Sequence, residues 1–214
     1  MGHWIDLTHP LYAGMPVWPG DRDVHIADTM TVQANGCSAQ RLRMGNHVGT
    51  HVDAPAHFVL QGQTVEALPL NSLMGPARLI SLPKRAQESI TKDELARVQG
   101  LDSEKRLILR TGWEERFSSP TFYEDFPVLT LEAAKYLAGS GLVLLGMDTP
   151  SPSPIDDPDQ QIHKALLGSG VVLVESMAHL NAFPDGEIDV CILPLPLQGA
   201  SGGPCRAVGR CCGH

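Results

Sequence analysis

Three uninterrupted apolar runs, Leu142–Met147, Val171–Val174 and Val190–Leu193, limit the folds open to this chain. Each has the length of a strand and is too short for an ordinary helix. A strand that does not alternate with polar residues is buried on both faces, and such strands occur where helices cover a sheet. The runs therefore indicate an α/β or α+β arrangement. Ala77–Leu82, after Gly75-Pro76, and Arg106–Thr111 read as further strands. A short strand is expected at Trp4–Thr8, and Ala39–Met44 alternates like a half-exposed strand. Thr91-Lys-Asp-Glu94 has the form of a capping box, predicting a helix to about Val98 with Gly100 just beyond it. A second helix is expected over Leu131–Ala138, stopped by Gly139. Thr149–Asp159 is proline-rich, acidic and too irregular for either structure. Gly199–Gly203 reads as a turn rather than a phosphate cradle.

At 214 residues, 43% hydrophobic and 19% charged, the chain suits one soluble domain over 1–214 with a substantial core. A net charge of -8 without a basic run weighs against a nucleic-acid partner. No stretch reaches about 18 consecutive apolar residues, so no membrane span is expected, and the N-terminus lacks the pattern of a secretory signal. Five cysteines make an odd count with no paired framework, which fits free thiols and a cytoplasmic location. Cys205, Cys211, Cys212 and His214 read either as a metal site or as a tail with free thiols. There is no nucleophile elbow, Walker-type loop or dinucleotide fingerprint.

The chemistry concentrates between Gly45 and Phe58, where His47, His51, Asp53 and His57 are interrupted by Gly49 and Pro55. Imidazole and carboxylate are common ligands of zinc, manganese and related ions. In a strand, His47, His51 and Asp53 would share one face while Val48, Thr50, Val52 and Ala54 took the other. Four residues of straight strand, however, span roughly 13 Å, too far for His47 and His51 to meet on one metal. The backbone must bend, and Gly49 is placed to allow it.

Two histidines and an aspartate are three ligands, and an aspartate can bridge two ions about 3.5–4 Å apart. Further ligands must come from elsewhere. Glu175, ending the second apolar run, and His163, after the acidic loop, are the candidates, although position alone reads them as a strand-end charge and a surface histidine. His57, two residues past Pro55, is expected to turn away from the ligand line. There it suits proton shuttling, or it is a third histidine ligand. Trp18, set between prolines in the rigid turn Met15–Asp21, is either a plug beneath a loop or an aromatic wall of a ligand pocket.

The segment His47-Val-Gly-Thr-His51-Val-Asp53-Ala-Pro-Ala-His57 resembles the His-x-Gly-Thr-His-x-Asp-x-Pro-x-His pattern of the metal-dependent cyclase family. That family includes kynurenine formamidases and isatin hydrolases. The similarity extends to Trp4–Leu7, Pro16–Asp21, Leu145–Asp148, His163–Leu167, Val174-Glu175 and the region from Leu193 to Val208. Thr50 is the broader family form; kynurenine formamidases commonly carry alanine there. The resemblance implies an α/β, single-domain swivelling fold with a mixed central sheet, assembled as a homodimer or higher homo-oligomer. It implies two divalent metal ions, zinc first and manganese as the alternative. His47, His51 and Asp53 would hold one ion and His51, Asp53, His163 and Glu175 the other, with Asp53 and Glu175 shared. It further implies that His57 donates and accepts protons and that Trp18 lines the substrate pocket.

The expectation is a metal-dependent amide hydrolase acting on a small aryl formamide, N-formyl-L-kynurenine first. Two alternatives stand beside it: a hydrolase opening a cyclic amide such as isatin, or a lactone, and a metal-binding member without catalysis.

Overall fold

The computed structural model describes residues 2–98 and 100–212. In chain order it forms β1 (Ile5–Asp6), β2 (His25–Met30), α1 (Val32–Asn35), β3 (Ala39–Arg43) and β4 (His51–Asp53). Then come α2 (Leu70–Leu73), β5 (Met74–Ser81), β6 (Ser89–Ile90), α3 (Lys92–Ala96), β7 (Arg106–Arg110) and β8 (Val128–Leu129). The last third holds α4 (Leu131–Gly139), β9 (Leu144–Met147), α5 (Gln161–Gly168), β10 (Val172–Glu175), β11 (Gly186–Pro194) and β12 (Gly202–Cys211).

Eight strands form one mixed sheet in the order β1-β12-β11-β5-β7-β9-β10-β4. Because β4 also pairs with β12, the sheet closes on itself, with β1 attached to the outer edge of β12. The neighbours β5, β7, β9 and β10 run parallel, joined by crossovers that carry α3, α4 and α5; the remaining pairs are antiparallel. Parallel neighbours need such crossovers, and these put helices on the outer face.

The apolar runs divide between two cores. On β7, Ile108 points into the closed sheet while Leu107 and Leu109 point out toward the helices. On β9 and β10, Leu144, Val172 and Val174 point inward, and Leu145, Met147 and Leu173 outward. A third cluster, of Met15, Val48, Trp113, Phe117, Phe122, Tyr123 and Phe126, lies beneath the N-terminal loop. It is tied to the sheet by Asp148, whose buried carboxylate accepts hydrogen bonds from the backbone of Thr111, Gly112 and Trp113 and from the Thr111 hydroxyl.

Several expectations need correction. The third apolar run belongs to the longer β11, where Ile188, Val190 and Ile192 are buried but Leu193 is exposed, so only one face is covered. Trp4–Thr8 yields two strand residues and an isolated bridge from Thr8 to Met177. Ala39–Met44 becomes β3 of an exposed hairpin with β2. The capping box of Thr91 and Glu94 is present, but its helix ends at Ala96. Gly139 lies inside α4 rather than stopping it; the left-handed residue is Gly141, after the cap Ser140.

The largest difference is at the C-terminus. Gly202 and Gly203 begin β12, and Cys205 is buried in that strand with its N–H on the Thr50 carbonyl. Six residues of strand separate Cys205 from Cys211, about 20 Å, so they share no metal. His214 lies outside the described residues. All five cysteines are free.

Candidate metal centre

Val52 points into the closed sheet, so the flanking His51 and Asp53 point outward from β4. The antiparallel register of β10 with β4 sets Glu175 directly opposite His51. Just before β4, Gly49 adopts φ +62°, a conformation that favours glycine. The bend brings the His47 and His51 rings to 5.2 Å between centroids. The close approach has a second requirement, on β12. A Cβ on Gly202 would lie 2.5 Å from His47 Cε1 and 2.5 Å from Val52 O, so only glycine leaves room for the ring.

His47 Nδ1 faces Asp53 Oδ1 at 2.6 Å, and its Nε2 faces Ser201 Oγ at 2.9 Å. His51 Nε2 lies 3.3 Å from Asp53 Oδ1 and 3.3 Å from Glu175 Oε2, with its Nδ1 on the Gly49 carbonyl at 2.9 Å. His163, on α5, places Nε2 3.3 Å from Glu175 Oε1 and 3.9 Å from Asp53 Oδ2. Its Nδ1 is held by Ser153 Oγ at 2.8 Å and Gln160 Oε1 at 3.0 Å. Each of these histidines thus aims one nitrogen at the carboxylates and anchors the other, an arrangement typical of metal-ligating imidazoles.

Burial disfavours the Asp53 carboxylate, but the hydrogen bonds and charges of His47 and His51 prevail and hold it well below the usual range. Burial likewise opposes the His51 cation, yet Asp53 and Glu175 push its pKa well above the ordinary value.

The donor set fits a divalent ion. Asp53 is 1% exposed, and its Oδ2 has no hydrogen-bond partner. A buried carboxylate oxygen left unpaired is costly, and a cation satisfies it. Two triads of donor atoms, one from His47, Asp53 and His57 and one from His51, Asp53 and Glu175, each lie within 4.8 Å and share Asp53.

His57 does not turn away from this group. The turn Pro55–His57, with the His57 N–H on the Ala54 carbonyl, folds it back over His47, and the two rings stack with centroids 3.9 Å apart. Burial lowers its pKa to about 4, against the opposing charge of Asp53. Its imidazole is neutral near pH 7.

The cluster forms the floor of a cavity of about 380 Å³. Trp18, Phe58, Tyr123 and Ile155 make its apolar walls; Asp21, Asn46, Ser151 and Gln160 add polar atoms. Trp18 packs edge-on against Tyr123 at 5.8 Å and lines the cavity. Sequence reasoning missed Phe58, Tyr123, Asn46, Gln160 and Asp21 as lining residues. A signal existed for four of them, since Asn46 and Phe58 adjoin His47 and His57, Gln160 lies three residues before His163 and Asp21 ends the Pro-Gly turn that carries Trp18. Thr50 faces away from the cavity, donating its hydroxyl to the Ser176 carbonyl and accepting the His9 N–H.

The Cyclase family model matches residues 5–154. A kynurenine formamidase of Bacillus cereus is 36% identical over 208 residues, 97% of each chain. A solved structure described as a predicted metal-dependent hydrolase from Bacillus stearothermophilus superposes with a TM-score of 0.83 at 29% identity, covering 98% of both chains. An isatin hydrolase from Ralstonia solanacearum shares the fold, with a TM-score of 0.85 at 21% identity over 98% of this chain and 92% of its own. With the matched region running through the whole His47–His57 segment and the curated relative covered almost from end to end, this chain belongs to the Cyclase family.

Proposed function

We propose that this chain is a metal-dependent amide hydrolase that cleaves the formyl C–N bond of N-formyl-L-kynurenine, giving L-kynurenine and formate. The observation that carries the reading is the convergence of His47, His51, His57, His163, Asp53 and Glu175 on the floor of an aromatic-walled cavity. It is supported by 36% identity to a kynurenine formamidase along nearly the whole chain.

In this reading His47 and His51 would serve one divalent ion and His163 a second, with the carboxylates of Asp53 and Glu175 shared between them. Zinc suits the mixed nitrogen and oxygen donors, with manganese as the alternative. Bound ions supply Lewis-acid polarisation of the formyl oxygen and lower the pKa of water toward neutrality. The chain's own residues do the rest. Trp18 stacks on the aryl ring and orients the formamide toward the cluster. His57, neutral beside His47, takes up the proton released as water adds to the formyl carbon and delivers it to the aniline nitrogen that departs when the C–N bond breaks.

The same reading has the chain working as one domain, in the cytoplasm, as a homodimer or higher oligomer. The closed sheet draws strands from Ile5 through Cys211, which supports a single unit. The exposed Leu193, Leu195 and Leu197 support association. No helix among the described residues is long and apolar enough to cross a membrane.

The test is turnover of N-formyl-L-kynurenine, isatin and a panel of lactones, with metal content measured on the same sample. Metal-dependent formation of L-kynurenine in preference to ring opening is expected. Preferential turnover of isatin or a lactone would replace the substrate assignment. Bound metal with no turnover of any compound would leave a binding protein.

A further inference from the structure

We propose that Asp21 is a specificity-determining residue that selects aryl formamides whose ring carries a side chain ending in an ammonium group. The inference rests on the formamidase reading above and adds to it the part of the substrate remote from the reacting bond.

Trp18 and Asp21 form one rigid unit. The segment Trp18-Pro-Gly-Asp21 is a tight turn closed by the Asp21 N–H on the Trp18 carbonyl at 2.9 Å, with Gly20 at φ +96°. Both side chains line the same cavity. Asp21 Oδ2 lies over Gly45, at the mouth of the histidine segment, 3.7 Å from where a Cβ on that glycine would stand.

Among the described residues the Asp21 carboxylate has no side-chain hydrogen bond and no ion pair. A role in holding its own turn is met by its backbone, not by the carboxylate. Among the described residues no lysine or arginine lines the cavity, and Asp21 is the one charged residue there outside the histidine and carboxylate cluster. An exposed, unpaired carboxylate carried on the same tight turn as an aromatic platform, without a competing cation, is matched to a positively charged group.

An aryl formamide carrying an amino-acid side chain meets these features together. Its ring lies on Trp18, its formamide faces the cluster and its ammonium reaches Asp21. Its own carboxylate meets no cationic side chain and stays toward solvent. A fused cyclic amide has no group to offer Asp21.

The test compares kcat/KM for N-formyl-L-kynurenine with that for 4-(2-formamidophenyl)-4-oxobutanoate, which keeps the ring, the formamide and the carboxylate but lacks the ammonium. In the metal-loaded wild type the ratio favours N-formyl-L-kynurenine. Asp21→Asn, close in shape but uncharged, is expected to lower the ratio about tenfold, the lower end for a charge-assisted hydrogen bond at an exposed site. The change should sit in KM rather than kcat. Because the ratio is taken within one preparation, it does not depend on the fraction of the variant that folds. If both formamides are hydrolysed and Asp21→Asn leaves the ratio unchanged, the assignment of Asp21 is overturned while the formamidase reading stands. If the wild type hydrolyses neither, the formamidase reading fails and takes Asp21's role with it.

Discussion

Gly202→Ala isolates the packing requirement behind the histidine cluster. Gly202 is not in a left-handed conformation, so alanine brings no backbone strain there; its only new feature is a Cβ. That atom would lie 2.5 Å from His47 Cε1, 2.5 Å from Val52 O and 3.1 Å from His47 Nδ1. Ordinary carbon contacts begin at about 3.5 Å, so a displacement of about 1 Å is required. Val52 is fixed by the pairing of β4 with β12, where it stands opposite Gly203. The Val52 contact is relieved only by a shift of the paired backbone, and the His47 contact by moving the ring, which opens its 2.6 Å approach to Asp53 and its stack on His57. Overpacking of this size costs about 1–3 kcal/mol. In a chain of this length each kcal/mol lowers Tm by about 2–4 °C, so a fall of about 5–10 °C is expected. With His47 a metal ligand, as proposed, displacing its ring should also weaken metal binding by at least about tenfold. Thermal melting of the metal-free variant and competition against a chromophoric chelator read the two effects separately. A variant that melts and binds metal like the wild type would refute the claim that glycine at 202 makes room for His47.

His57→Ala should retain its metal and lose about 10²–10⁴ of kcat; a metal-loaded variant with wild-type turnover removes the proton-transfer role. Asp148→Ala should cost about 3–5 kcal/mol in urea unfolding, because three backbone N–H groups and a hydroxyl lose a buried acceptor; a loss below about 1 kcal/mol would contradict that role. Glu94→Gln tests a pH-linked contribution. The Lys84 ammonium at 2.6 Å, with help from Thr91 and against its partial burial, lowers the Glu94 carboxyl to about 2. A depressed carboxyl stabilises above its unfolded value of 4.5 and loses that contribution as pH falls from there through 2. The substitution should therefore cost about 1 kcal/mol near neutral pH, solvent screening included, and progressively less in acid. A cost that stays constant between pH 5 and about pH 2 would contradict the linkage.

Local signals carried much of the site. The odd-numbered spacing of His47, His51 and Asp53, taken with strand rise, is enough to demand a bend, and Gly49 supplies it. Glu175 could be suspected because a charge closing an apolar strand needs a partner; the register that sets it against His51 needs the fold. The capping box at Thr91 was legible because both of its partners lie within four residues. Long-range features were not. Gly199–Gly203 reads as a turn, and only the pairing of β12 with β4 shows that its Gly202 faces His47. Cys205 reads as tail chemistry until that strand buries it. The return of His57 over His47 depends on the turn after Pro55, which composition alone does not fix. Tyr123 reaches the cavity from a segment far from the histidines in sequence.

The most direct measurement is N-formyl-L-kynurenine hydrolysis in one sample carried through chelation and metal return, with metal content determined at each stage. The account predicts that the chelated chain forms no L-kynurenine and that activity returns with up to about two equivalents of divalent ion per chain. It also predicts that His51→Ala does not recover. Undiminished L-kynurenine formation by a chain stripped of metal would contradict it.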